Sequence, residues 1–277
     1  MLCDCHIHSN FSCDADKTES NSVDSICSIA VECGFDAIAI TDHFETDLMF
    51  DGFEPMLDFD GVREAVMEAK VKYDGELDVI YGIEFAQALH MKEKSEEILD
   101  KYNFDFVLGS VHAIYGMTDF FHAEYDKLSD SELLKMFDTY LKEQYEMIEW
   151  GRFNSLAHIT YPDRYYSGAG KGALLNMQER EIEYFDAALK LIIKKDIALE
   201  LNTSGLRKAL GRTLPDEKLL KYYRQLGGKL VTVGSDSHRA EDLGKNIKDA
   251  HTMLRDCGFN STVYYKNGKA IEGALEC

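Results

Sequence analysis

The sequence predicts an α/β barrel of parallel strands, and three observations carry that prediction. Seven apolar runs of strand length alternate with amphipathic helical stretches between Leu2 and His238. The runs are apolar on both faces, the pattern of a parallel sheet covered on its outer side by helices. At 277 residues with so many strand–helix repeats, the chain suits a closed sheet better than an open one.

The first run is Leu2 to His8, followed by a turn-rich segment from Ser9 to Asn21. Val23, Ile26, Ala30 and Cys33 then recur at helical spacing up to Gly34, a natural residue just past a helix end. Asp36 to His43 reads as a buried strand with a polar end, and helices near 59–73 and 92–102 precede strands at 78–84 and 106–112. Ser129 and Glu132 form a capping box that opens a long helix, whose expected buried stripe is Leu134, Phe137, Leu141, Tyr145 and Ile148. A strand at 155–158, a helix carrying Ile182, Phe185, Leu189 and Ile192, a strand at 197–202, a helix near 216–226 and a strand at 230–238 complete the repeat. Val263 to Ile271 reads as a hairpin around Asn267-Gly268. The expectation is one domain, 1–277, with about 259–277 appended as a hairpin-like flap.

Composition narrows the function. Fifty acidic residues against thirty basic ones give a net charge of −20, a surface that repels polyanions and lacks the basic stripe of a nucleic-acid binder. Seven cysteines, odd in number and scattered, argue against a disulfide framework. Cys3 and Cys5 are expected as buried thiols on the face of the first strand opposite His6 and His8. No run of 18 apolar residues and no cleavable leader is present, so no membrane contact is expected and a cytoplasmic location is the default. The sequence carries no signal of oligomeric state.

The polar residues fall where a barrel uses them. His6 and His8, two apart, share one face of a strand. Such a pair is common, but His43, Glu84, His112, His158, Asn202, and Asp236 with His238 each end a later predicted strand. In parallel barrels that end of the strands surrounds the active site. Six imidazoles buried there without partners would be strongly destabilising, and bound cations offset that cost. Mixed imidazole and carboxylate ligands suit Zn, Mn or Fe(II) better than Mg or Ca.

The ordered blocks His6-x-His8, Asp14, Thr41-Asp42-His43, Gly82-Ile83-Glu84, Ser110-Val111-His112, Ala157-His158 and Ser235-Asp236-Ser237-His238 resemble the polymerase-and-histidinol-phosphatase (PHP) family over residues 2–238. The stretch Glu200 to Lys208 and the Cys257-Gly258-Phe259 ending are similar to the branch of that family that dephosphorylates histidinol phosphate. The resemblance implies a distorted (β/α)7 barrel with a centre of three divalent transition-metal ions. It assigns His6, His8, Glu84 and Asp236 to one ion, Glu84, His112 and His158 to a second, and Asp14, His43 and His238 to a third. The Asp14 position varies within the family, and Asp16 is the nearby substitute.

The implied reaction is hydrolysis of a small phosphomonoester. Bound cations lower the pKa of a water that bridges them and neutralise phosphoryl charge, so no serine or cysteine nucleophile is required. Asp236 is expected to accept a hydrogen bond from that nucleophile, and His238 or Asp42 to protonate the leaving alkoxide; Asp42 as an orienting residue is the alternative. Arg207 and Arg164, in loops after Asn202 and His158, are the expected phosphate ligands together with Asn202, with Lys171 and Arg239 in reserve. Glu124, Tyr161, Tyr115 and His122 are candidate pocket linings, while His90 and His251 fall on helices outside the pattern. Competing readings are a related phosphoesterase acting on a nucleotide phosphate or phosphotyrosine, and a non-catalytic metal-binding accessory module. Metal-dependent C–N hydrolysis on a similar barrel would call for a carboxylated lysine at a strand end, and none is found there.

Overall fold

In the computed structural model, residues 1–46, 57–117 and 119–276 are described. Eight parallel strands form the sheet: β1 (Cys3–Ile7), β2 (Ala37–Ile40), β3 (His43–Glu45), β4 (Asp78–Ala86), β5 (Phe106–Ser110), β6 (Ser155–Leu156), β7 (Ala198–Asn202) and β8 (Val231–Gly234). They run in the order β1-β2-β4-β5-β6-β7-β8, with β3 beside β4. Asp236 N–H donates to His6 O and His8 N–H to Ser237 O, both at 2.8 Å, which joins the last strand to the first and closes the barrel around seven strand positions.

The predicted strand at 36–43 is two strands, because Asp42 is drawn out of the ladder. Its carboxylate accepts from Ser9 N–H, Ser9 Oγ and Ser12 Oγ at 2.7–2.8 Å. The predicted strand at 155–158 shrinks to two residues, since His158 adopts a left-handed backbone with φ of 21°.

Helices α1 (Val23–Glu32), α2 (Phe59–Lys72), α3 (Lys92–Tyr102), α4 (Asp130–Trp150), α5 (Tyr161–Gly168), α6 (Gly172–Leu175), α7 (Met177–Lys194), α8 (Glu217–Gln225) and α9 (Ile247–Asp256) pack outside the sheet. Ser129 and Glu132 make the predicted capping box on α4. The buried face of α4 is Leu133, Met136, Phe137, Tyr140, Gln144, Met147 and Ile148, whereas Leu134 is exposed. The predicted stripe was rotated by about one residue, because adjacent Leu133 and Leu134 offer two helical registers of similar hydrophobicity. Helix α9 carries His251, which the sequence places on a helix without bounds, and buries Ile247, Ala250 and Leu254 at helical spacing.

The outer core joins helices to one face of the strands, through residues such as Ile38, Ile40, Val79, Tyr81, Leu199 and Val231. The barrel interior is a separate cluster of Cys3, Cys5, Ala37, Ala39, Ile80, Phe106, Leu108, Ala157 and Ala198. Cys3 and Cys5 are buried as predicted, but they do not lie opposite the histidines. The pairing of β1 with β2 shifts register between Asp4 and Ile7, and Asp4 Oδ1 accepts from His6 N–H at 3.3 Å. This bulge turns His6 and His8 onto the interior face that Cys3 and Cys5 already occupy.

The C-terminal hairpin, β9 (Ser261–Lys266) and β10 (Lys269–Ala274), turns at Asn267 and Gly268, both at positive φ as a two-residue hairpin turn requires. It seats under the barrel. Val263, Tyr264 and Tyr265 enter the interior cluster, and Tyr265 stacks on Phe106 with centroids 5.5 Å apart. Tyr264 Oη and Lys266 Nζ reach Asp78 at 2.7 Å, and Asn267 N–H reaches Asp105 at 2.9 Å, at the N-terminal ends of β4 and β5. The open end of the barrel is therefore the opposite one, where the strands finish.

Candidate metal centre

The nine candidate ligands lie together at that open end in three clusters that overlap: His43 Nδ1 is 2.9 Å from Glu84 Oε2, and donor atoms also group as His8 with His43 and His238 and as His43 with Glu45 and His112. In the first, His6 Nε2 lies 3.1 Å from Glu84 Oε2 and 3.8 Å from Asp236 Oδ1, and His8 Nε2 lies 3.5 and 3.4 Å from the same two oxygens. In the second, Glu84 Oε1 is 3.1 Å from His112 Nε2 and 2.9 Å from His158 Nε2, with 3.3 Å between the two nitrogens. In the third, Asp14 Oδ2 is 3.6 Å from His43 Nε2 and 3.1 Å from His238 Nε2, which are 3.4 Å apart. Glu84 gives one oxygen to each of the first two groups.

Local sequence explains the convergence. Gly234 lets β8 pass close to β1, since a Cβ there would sit 2.4 Å from His6 Cβ and 2.5 Å from Glu200 Oε1. Two residues on, Asp236 takes a left-handed backbone (φ 54°) that directs its carboxylate across the mouth, and His158 does the same from β6. Glu200 Oε2 accepts the His158 N–H at 2.7 Å and so holds that conformation.

The first two groups are sealed and the third is open. His6, His8 and Glu84 are inaccessible, while the side chain of His238 is 30% exposed and that of Asp14 53%. His6 Nε2, His8 Nε2 and Glu84 Oε2 are buried with no hydrogen-bond partner. The opposite ring nitrogens are occupied: His6 Nδ1 by Glu200 at 2.6 Å, His8 Nδ1 by Ser12 Oγ at 3.2 Å, His112 Nδ1 by Glu45 at 2.7 Å and His238 Nδ1 by Asp236 O at 3.2 Å. That arrangement fixes these four imidazoles with Nε2 lone pairs facing inward, whereas His43 Nδ1 and His158 Nδ1 have no hydrogen-bond partner among the described residues; the donor set fits divalent transition metals.

Burial alone would raise the pKa of Glu84, but the imidazoles of His6, His112 and His43 outweigh it and hold the carboxylate well below its usual range. Asp236 is held low in the same way by His6, His8 and His238. Burial would depress His6 and His112; for His6 the carboxylates of Glu200, Glu84 and Asp236, and for His112 those of Glu45 and Glu84, reverse the shift and favour protonation. Burial and the neighbouring His43 and His238 keep His8 neutral. Metal binding must therefore displace protons from this centre.

The other predicted residues divide. Arg164 Nη2 donates to Ser204 Oγ at 2.8 Å and stands 3.6 Å from Asp236 Oδ2, and Arg207 Nη2 donates to Ser235 O at 2.6 Å. Arg164 Nε and Arg207 Nη1 are buried with no hydrogen-bond partner. Asn202 is buried and turned to the protein: its amide donates to Glu200 and Asp236, and its carbonyl accepts from Ser204. It positions Asp236 and is not a free phosphate ligand. Asp236 Oδ2 accepts from Ser204 at 3.0 Å and Asn202 at 3.3 Å, which holds the carboxylate in place. Asp42 is sealed under Ser9 and Ser12, which fits the orienting alternative: through Ser12 it acts on His8.

Lys171 pairs with Asp130, and Arg239 is exposed near Glu241. Tyr161 abuts His112 and His158, with centroids at 4.7 and 4.9 Å. Glu124 is exposed on Lys127, Tyr115 is 62% exposed, His122 is exposed, and His90 pairs with Glu143. His251 is buried away from the centre, accepting from Glu276 N–H. Sequence reasoning missed Glu200, Glu45 and Asp119. Glu200 had a signal, a lone carboxylate in the apolar run Ile197 to Leu201.

A parallel barrel with three histidine–carboxylate groups at its strand ends is a metal-centre barrel in class. Residues 4–204 match the PHP domain model, and the chain belongs to that family. It is 31% identical to a probable histidinol-phosphatase of Clostridium acetobutylicum, covering 96% of this chain and 98% of the relative. It is 30% identical to a probable histidinol-phosphatase of Thermotoga maritima, covering 93% of each. The fold matches the crystal structure of histidinol phosphate phosphatase from Lactococcus lactis complexed with zinc, L-histidinol and phosphate, at a TM-score of 0.79 and 23% identity over 98% of both chains. Among the described residues no helix is long and apolar enough to cross a membrane.

Proposed function

We propose that this chain is a metal-dependent phosphomonoesterase that hydrolyses L-histidinol phosphate to L-histidinol and phosphate, a step of histidine biosynthesis. The observation that carries the reaction type is the sharing of Glu84 between two ligand groups with an arginine beside Asp236. The near full-length similarity to histidinol-phosphatases supports the substrate.

On this reading the centre holds three divalent ions, zinc, manganese or iron, in the groups described. The ions supply a water activated at neutral pH and positive charge against the phosphoryl oxygens. The chain's own residues do the rest. Arg164 and Arg207 offer buried, unpartnered N–H donors to the phosphate. Asn202 and Ser204 hold Asp236 so that its Oδ1 faces His6 and His8.

Tyr161 and Asp119 serve the ammonium and imidazole of the substrate. Tyr161 Oη donates to Asp119 Oδ1 at 3.2 Å, and Tyr165 Oη donates to Tyr161 Oη at 2.9 Å. Burial raises the pKa of Asp119, so a cationic partner there relieves an unfavourable desolvation. Asp119 takes the place expected for Glu124.

The test is steady-state hydrolysis by metal-loaded protein of histidinol phosphate, a nucleoside monophosphate, phosphotyrosine and p-nitrophenyl phosphate. Histidinol phosphate is expected to lead in kcat/KM by at least about tenfold, or about 1.4 kcal/mol. A lead for the nucleotide or phosphotyrosine would leave the metal chemistry standing and overturn the substrate.

A further inference from the structure

We propose that Glu45 is a positioning residue shared by the second and third ligand groups, so that its loss weakens the ions of those two groups together and the first, which it does not touch, least. The inference rests on the three-ion reading above and extends it to a residue outside the nine ligands.

Glu45 ends β3, two residues after His43, so both side chains leave the same face of that short strand. Its Oε1 lies 2.7 Å from His112 Nδ1 and 3.3 Å from His43 Nδ1. One carboxylate oxygen thus binds the outer nitrogen of His112 and lies beside Nδ1 of His43, which also faces Glu84 Oε2 at 2.9 Å; the Nε2 atoms of the two imidazoles point into different groups. Its Oε2 accepts from Gln87 Nε2 at 2.9 Å, and Gln87 Oε1 accepts the His112 N–H at 2.8 Å. Glu45, Gln87 and His112 therefore close a ring of three hydrogen bonds that fixes both the backbone and the imidazole of His112.

The first group has its own counterpart. Glu200 Oε1 holds His6 Nδ1 at 2.6 Å, and Ser12 holds His8. Neither touches Glu45, whose imidazole partners among the described residues are His112 and His43. Carboxylate acceptors on the outer nitrogen fix the tautomer and raise the basicity of the inward one, and their removal typically weakens metal affinity by about 10–100-fold. Here one removal acts on two groups.

The experiment is zinc titration of metal-free protein in competition with a chromogenic chelator, on wild type, Glu45→Ala and Glu45→Gln. The alanine variant removes the acceptor; the glutamine variant keeps the shape and decides the matter if the alanine variant does not fold. Thermal unfolding of the metal-free proteins reports folding separately. The expected result is three zinc sites in wild type and, in the variants, two sites weakened together by at least about tenfold with the third weakened less. Equal weakening of all three sites, weakening of one alone, or no change against a three-site wild type would overturn the role of Glu45 and leave the centre intact. A wild type with fewer than three sites would overturn the underlying reading and this inference with it.

Discussion

At the floor of the barrel Tyr265 stacks on Phe106 over Cys3, Cys5, Ala39 and Leu108, and the hairpin is tied to Asp78 and Asp105. At the mouth the same strands end in six imidazoles and a cluster of carboxylates, with several polar atoms buried and unpartnered and two residues at left-handed backbone angles. The floor removes apolar surface from water and contributes stability. The mouth concentrates charge and strain that destabilise the metal-free fold, and it depends on the rest of the barrel to hold it. Stability and chemistry are thus assigned to opposite ends of shared strands, as parallel barrels allow.

Two substitutions sharpen that contrast. Tyr265→Ala at the floor is expected to destabilise by roughly 3–5 kcal/mol, the usual cost of deleting a buried aromatic ring, with kcat of the folded protein unchanged. Chemical denaturation alongside steady-state assays reads both quantities; a variant of normal stability, or one with a collapsed kcat, would break the division. Arg164→Ala at the mouth is expected to do the reverse. A charge-assisted contact contributes about 1.5–3 kcal/mol, so kcat/KM should fall by about 10–150-fold for every phosphomonoester, with stability changed by less than for Tyr265→Ala. A selective loss for one substrate would move Arg164 from phosphate binding to substrate recognition.

The same contrast explains what could be read from the sequence. The mouth was legible because metal ligation admits few residue types, and these fall at strand ends in a fixed order: His6 and His8, His43, Glu84, His112, His158, Asp236 and His238. What supports them was not. Glu45 is one among fifty acidic residues, and only three-dimensional proximity separates a carboxylate behind an imidazole from one facing solvent, whereas Glu200 stands out only as a lone carboxylate in an apolar run. The bulge that brings Cys5 and His6 to one face depends on Asp4 binding a backbone N–H, a contact that alternation of residue types cannot reveal. The rotated stripe of α4 has a similar origin, since packing against α6 and α7 chose between two registers that composition left equal.

The central claim is that Glu84 joins two ligand groups, and metal counting on Glu84→Gln tests it most directly. Elemental analysis after dialysis against a weak chelator should find the ions of the first and second groups depleted together. Far-ultraviolet circular dichroism should be unchanged, and kcat/KM should fall at least about a hundredfold, equivalent to about 2.7 kcal/mol. Loss of a single ion, with the other of the pair held at wild-type occupancy, would contradict the bridging role.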